Sequence, residues 1–206
     1  MTKLTQRLAG SLEDAARLLR QWARTEDKVL ILGGVRSGKS RHAERLMTAH
    51  PEVVYVAPGL PATDDDPEWA LRVKQHQARR PANWRTLETT DLATTLRQAS
   101  RPLLIDCLGT WLSRVLGEVG AWDQRDGWEL RLDERLEDFL AAWREAHVPV
   151  VAVSNEAGMG VVPATFSGRV FRDVLGALNN RVAAESDSVQ LVVAGRVVRL
   201  TERALL

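Results

Sequence analysis

The chain has 206 residues, enough for one well-buried core and too few for two full domains. Hydrophobic residues make up 45% and charged residues 27%, an ordinary globular balance, and the net charge of +1 gives no electrostatic footing for a nucleic-acid partner. One cysteine, Cys107, leaves no internal disulfide and fits a reducing cytosol, and no apolar run approaches the roughly 20 residues of a membrane span. Charges interrupt the first residues every few positions, so no secretory leader is expected and the expected location is cytoplasmic.

In chain order, Leu4, Leu8, Leu12, Ala15, Leu18, Leu19 and Trp22 recur at helical spacing, which predicts an amphipathic helix over 2–25. Glu13 and Asp14 argue against a membrane-binding face, so residues 1–26 read as a packing extension ahead of one domain, 27–206. Short apolar strands are then predicted at 29–32, 53–56, 84–87, 102–106 and 149–153. Helices are predicted at 38–49, 67–79, 91–99, 110–119, 128–146 and 165–185, with a loop carrying Asp64 to Asp66 between 58 and 67. The last two strands, 189–193 and 197–200, meet near Gly195-Arg196 as a hairpin. Strands apolar on both faces, alternating with helices, imply an α/β fold with a mainly parallel sheet, helices on both faces and one antiparallel edge strand.

The stretch ILGGVRSGKS contains Gly33-x-x-x-x-Gly38-Lys39-Ser40, a complete P-loop, after a strand and opening a helix. Its glycines let backbone N–H groups wrap a pyrophosphate, and the helix N-terminus adds partial positive charge. Lys39 can reach the β- and γ-phosphates, and the Ser40 hydroxyl can ligate Mg²⁺. Asp106 ends an apolar strand with a carboxylate, suited either to the same metal or to capping the following helix. Asn155 and Glu156 follow another strand, where open α/β sheets bind ligands, and read equally as contacts or as caps of a glycine turn. The Asn-Lys-x-Asp loop of a regulatory GTPase is absent there.

Of the four histidines, His42 reads as a packing or capping residue, and His50 and His147 lie in loops. His76 sits among Arg72, Lys74, Arg79, Arg80 and Arg85. Those cations disfavour a protonated imidazole and favour a phosphate under attack, which suits a nucleophile; a solvated basic face is the plain alternative.

The stretches LGGVRSGKSRHAE, HQARRPANWRTLE, LLIDCLGTWLS, SNEAGMGVVP and GRVFRDVLGALNNRVAAESDSVQLVVAG occur in that order. In them, the chain from about Val29 to Leu200 resembles the bifunctional adenosylcobinamide kinase / adenosylcobinamide-phosphate guanylyltransferase family of cobalamin synthesis. The resemblance implies a RecA-like P-loop NTPase fold and a homotrimer. It implies phosphorylation of adenosylcobinamide by ATP or GTP, then transfer of GMP from GTP to adenosylcobinamide phosphate through a guanylyl-histidine, with release of pyrophosphate. The family's histidine falls on His76. Its nucleotide contacts fall on Gly33, Gly34, Val35, Arg36, Ser37, Gly38, Lys39 and Ser40, on Ala57, Pro58 and Gly59, on Gln77, Ala78, Arg79 and Arg80, on Glu88 and on Asp106. Ser40 and Asp106 are the expected Mg²⁺ ligands. The chain departs from the family in residues 1–26, in a longer loop from Leu60 to Glu68, and in Gln75, where some members carry a second histidine.

Overall fold

The computed structural model describes residues 27–59 and 80–201, with Leu71 and Lys74 between them. The helix expected over 2–25 and the loop with Asp64 to Asp66 lie outside the described residues; of the helix expected over 67–79, Leu71 and Lys74 are described, and both are helical. The chain builds β1 (Lys28–Gly33), α1 (Lys39–Met47), β2 (Val54–Ala57), β3 (Arg85–Glu88), α2 (Leu92–Arg97) and β4 (Leu103–Asp106). It continues with α3 (Leu108–Glu118), α4 (Trp128–Glu145), β5 (Val150–Asn155), α5 (Phe166–Ala184), β6 (Ser188–Val193) and β7 (Arg196–Leu200).

The strands form one sheet in the order β3-β2-β4-β5-β1-β6-β7. Every pairing is parallel except β6 with β7. The expected mainly parallel sheet with an antiparallel edge is what forms, in RecA-like order: one strand, β5, separates the P-loop strand β1 from β4.

Side chains alternate across each strand, so one apolar run serves two cores. Leu30, Leu32, Leu103, Ile105, Val150 and Ala152 face α2, α3, α4 and α5. Val29, Ile31, Leu104, Val151 and Val153 face the other side, against Ala43 and Met47 of α1. The helices start where side chains can take orphan backbone donors. Asp91 Oδ1 accepts from the Thr94 N–H at 3.0 Å, and Thr165 Oγ1 accepts from the Gly168 N–H at 3.2 Å. The N–H of Thr94 also holds the Asp91 carboxyl below the usual carboxylate range.

The larger core centres on an aromatic stack between α3 and α4. Phe139 lies 4.7 Å from Trp111 and 6.3 Å from Trp143, centroid to centroid, and all three are fully buried. Trp111 Nε1 donates to the Thr90 carbonyl at 2.9 Å, so its polar handle is satisfied. Phe139→Ala removes the middle ring of this stack. It is expected to destabilise the fold by about 3–5 kcal/mol, measured by urea or thermal unfolding; a loss under 1 kcal/mol would mean the helices repack without it.

Candidate active site

Because β1 to β5 all run parallel, their carboxyl ends share one edge of the sheet. Across that edge stand Glu88, Ala57, Asp106, Asn155 and Gly33, ending β3, β2, β4, β5 and β1. The P-loop spans from Gly33 to the first turn of α1. Gly38 adopts φ 97°, a left-handed conformation in which a Cβ is strained, and this turn aims α1 at the loop. Gly33 meets a different limit, since a Cβ there would lie 2.6 Å from both Ser37 Oγ and the Val192 carbonyl. The loop is also held from outside, by Gly195 N donating to the Ser37 carbonyl at 2.9 Å from the tip of the β6–β7 hairpin.

Lys39 is 7% exposed, and its Nζ donates to the Gly34 carbonyl at 3.2 Å, across the loop. Ser40 Oγ donates to Asp106 Oδ1 at 3.2 Å, joining α1 to the end of β4. Asp106 Oδ2 accepts from the Tyr55 hydroxyl at 2.7 Å. Burial, followed by the Asp106 charge, pushes the Tyr55 phenol far above its usual range, so the proton stays on the tyrosine. The guanidinium of Arg80 lies 3.4 Å above the Tyr55 ring centroid, and its Nη1 donates to Thr86 Oγ1 at 2.9 Å.

The sequence-derived candidates therefore divide into three groups. Gly33 to Ser40, Asp106 and Arg80 are joined by the contacts above. Ala57, Pro58 and Gly59 lie at the same sheet edge, three strand spacings or roughly 14 Å from the P-loop strand. The Gly59 carbonyl is held by Arg114 Nη1 at 3.0 Å, and Glu88 ends the outermost strand β3, exposed. His76, Gln77, Ala78 and Arg79 lie outside the described residues.

Among the remaining candidates, Glu156 Oε1 accepts from the Gly158 N–H at 2.8 Å, and Asn155 Oδ1 accepts from Cys107 Sγ at 3.4 Å. Asn179 Nδ2 on α5 donates to the Asn155 carbonyl at 3.0 Å. These are the contacts of a brace under the glycine turn. His42 is buried, with Nε2 2.6 Å from Gln190 Oε1 and Nδ1 3.1 Å from Arg45 Nη2. Both ring nitrogens are taken up by these neighbours, so the ring is a packing element. Desolvation, then the Asp106 charge, raises the Cys107 thiol above its usual range. A proton is therefore retained there near neutral pH, unsuited to nucleophilic attack.

Two residues at the site had escaped the sequence reading, Tyr55 and Arg114. Tyr55 did carry a signal, being the sole tyrosine of the chain inside an otherwise aliphatic strand. Arg114 carried none. Among the described residues, no group of three or more His, Cys, Asp or Glu side chains could hold a metal ion. The oxygens of Ser40 and Asp106 are the hard donors at hand.

The profile of the family described as cobinamide kinase / cobinamide phosphate guanyltransferase matches residues 29–200. The chain is 38% identical over 181 residues to the bifunctional adenosylcobalamin biosynthesis protein CobU of Salmonella typhimurium, covering 84% of this chain and 98% of that one. It is 35% identical to the Escherichia coli protein of the same name, with the same coverage. It is 43% identical over 171 residues to the bifunctional adenosylcobalamin biosynthesis protein CobP of Pseudomonas aeruginosa, covering 81% of this chain and 92% of that one.

The packing around Gly33 sets a specific expectation. Gly33→Ala must displace either Ser37 or the β6 backbone, and is expected to cost about 1–3 kcal/mol of stability. Gly34→Ala, with nothing within 4 Å of its Cβ position, is expected to stay within about 0.5 kcal/mol of wild type. Paired unfolding curves check the contrast; equal losses at the two positions would contradict it.

Proposed function

Because the chain belongs to the cobinamide kinase / cobinamide phosphate guanyltransferase family, we propose that it carries out both reactions on adenosylcobinamide, with the P-loop as the triphosphate site and His76 as the guanylyl acceptor. In the kinase step the substrate hydroxyl attacks the γ-phosphorus of ATP or GTP. The bond from that phosphorus to the β,γ-bridging oxygen breaks, the nucleoside diphosphate leaves, and the hydroxyl proton is released. In the second step an imidazole nitrogen of His76 attacks the α-phosphorus of GTP, and pyrophosphate leaves. An oxygen of adenosylcobinamide phosphate then displaces the histidine, giving adenosylcobinamide-GDP and the free imidazole. The covalent intermediate divides one difficult displacement into two easier ones.

The observation that carries the nucleotide reading is the convergence of Ser40 and Asp106 under a complete P-loop, 3.2 Å apart. Two hard oxygens fit a small divalent cation that keeps most of its ligands as water and phosphate, as Mg²⁺ does. Ser40 and Asp106 would hold it, and when bound it would neutralise charge on the phosphates. The chain's own contributions are separate from the metal. The loop N–H groups and the α1 N-terminus favour an anion, Lys39 supplies a buried cation at the loop, and Arg80 supplies a second cation on the Tyr55 ring. Ala57 to Gly59 and Glu88 line the far end of the same edge, a reach suited to the base and ribose of the nucleotide. The extension 1–26, the domain 27–206, a homotrimeric assembly and a cytoplasmic location complete the reading. No helix among the described residues is long and apolar enough to cross a membrane.

Two substitutions separate the parts of this proposal. Lys39→Ala is expected to slow both reactions by about 2–4 kcal/mol of transition-state stabilisation, read from kcat/KM with each substrate; near-normal rates in both would exclude the P-loop as the working site. His76→Ala is expected to abolish label transfer from α-labelled GTP to protein, while γ-phosphoryl transfer largely survives. The wild-type adduct should be acid-labile and base-stable, as a P–N bond is. Labelling of His76→Ala at the wild-type level would move the nucleophile elsewhere.

A further inference from the structure

Tyr55 occupies a position that the P-loop pattern does not specify. Its Cα pairs with Leu104 on β4, and Asp106 follows two residues later on the same face of that strand. Two residues along a strand is roughly 6.6 Å, a distance spanned by a long side chain with a donor at its tip. The ring is 1% exposed and belongs to the buried apolar cluster that holds Leu104 and Val153, so a phenylalanine would fill the space equally well. The hydroxyl is what the core does not require, and it bonds Asp106 Oδ2 at 2.7 Å while Ser40 bonds Oδ1. Over the ring lies Arg80, whose guanidinium carbon stands 3.4 Å from the centroid. Arg80 Nε is buried with no hydrogen-bond partner among the described residues. That cation is held by the ring and by Thr86.

We propose that Tyr55 is a positioning residue of the phosphate site: its hydroxyl fixes the rotation of the Asp106 carboxylate, and its ring seats Arg80. The proposal rests on the nucleotide reading given above. It separates two functions within one side chain, and single substitutions can remove them one at a time. Tyr55→Phe removes the hydroxyl and keeps the ring. Tyr55→Leu removes both.

The test measures binding, with Mn²⁺ as the paramagnetic metal probe and a fluorescent GTP analogue as the nucleotide. For Tyr55→Phe, Mn²⁺ affinity of the nucleotide complex is expected to fall about tenfold, the effect of one lost hydrogen bond to a charged group. Its metal-free nucleotide affinity should stay within about twofold of wild type, because the ring still seats Arg80. Tyr55→Leu should show the same metal defect and, in addition, lose metal-free nucleotide affinity by about three- to tenfold. Arg80→Ala should reproduce that nucleotide loss alone, and the Tyr55→Leu/Arg80→Ala double variant should bind metal-free nucleotide no more weakly than Arg80→Ala.

A folded Tyr55→Phe protein with wild-type Mn²⁺ affinity would overturn the proposal, as would full additivity of the Tyr55→Leu and Arg80→Ala losses. Should Tyr55→Leu fail to fold, the near-isosteric Tyr55→Phe still decides the hydroxyl's part. Lys39→Ala in the same assay separates the levels. If it too binds nucleotide like wild type, the nucleotide reading fails and this proposal with it; if it loses nucleotide while Tyr55→Phe keeps wild-type Mn²⁺ affinity, the positioning proposal alone fails.

Discussion

Parallel pairing on both sides of β5 governs where chemistry can occur in this molecule. Gly33 is in register with Asn155 and Asp106 with Val153, so the first P-loop glycine and the acidic end of β4 are held two strand spacings apart, roughly 10 Å. The gap is closed from above. The P-loop turns the chain through Gly38 and lays the first turn of α1 back over β5, which brings Ser40 to Asp106. Without the intervening strand the two would meet as direct neighbours and leave no floor. Asn155 and Glu156 occupy that floor, and their bonds to Cys107, Asn179 and Gly158 keep it from sagging.

The site is also where the fold accepts unfavourable local terms. A lysine ammonium is nearly buried at the loop, Arg36 is turned through the left-handed region at φ 57° although it carries a Cβ, and an arginine guanidinium rests on an aromatic ring with one N–H unmatched among the described residues. Each would be selected against in a core designed only for stability. Together they form a cluster of preset donors and cations on one side of the sheet edge, with a carboxylate and hydroxyl beside them. An arrangement of that kind needs little reorganisation when a polyanion enters, and this is the condition under which fixed charges act most strongly on a reacting phosphoryl group.

Most of the frame was legible in the sequence because its causes are local. Aliphatic runs marked most of the described strands, β3 with its single leucine being the exception, and the helix and strand bounds fall within two residues of expectation. The P-loop was legible because its residue types and spacing are dictated by phosphate geometry, and Asp106 because a carboxylate closing an aliphatic run is conspicuous. What escaped depends on pairings between distant parts of the chain. Nothing near Tyr55 announces that Leu104 will be its strand partner, so neither its bond to Asp106 nor its stacking with Arg80 could be read. Arg114 and the Asn179 brace escaped for the same reason. Asn155 and Glu156, open in the sequence to two readings, bond Cys107 and Gly158 within the protein.

The contact between Gly195 and the Ser37 carbonyl has a consequence for synthesis. β1 is made early, yet its two neighbours in the sheet are β5 and β6, at 150–155 and 188–193, and the loop that follows it leans on the hairpin tip at 195. A nascent chain emerging from the ribosome carries its phosphate-loop sequence through most of translation with neither wall of that loop in place. Such long-range parallel closure is slow and comes late. The P-loop sequence is therefore translated long before a working loop exists, and the chain acquires its preset cations only when nearly all of it is available to fold. Until then it has no formed pocket in which to trap the nucleotides that surround it in the cell.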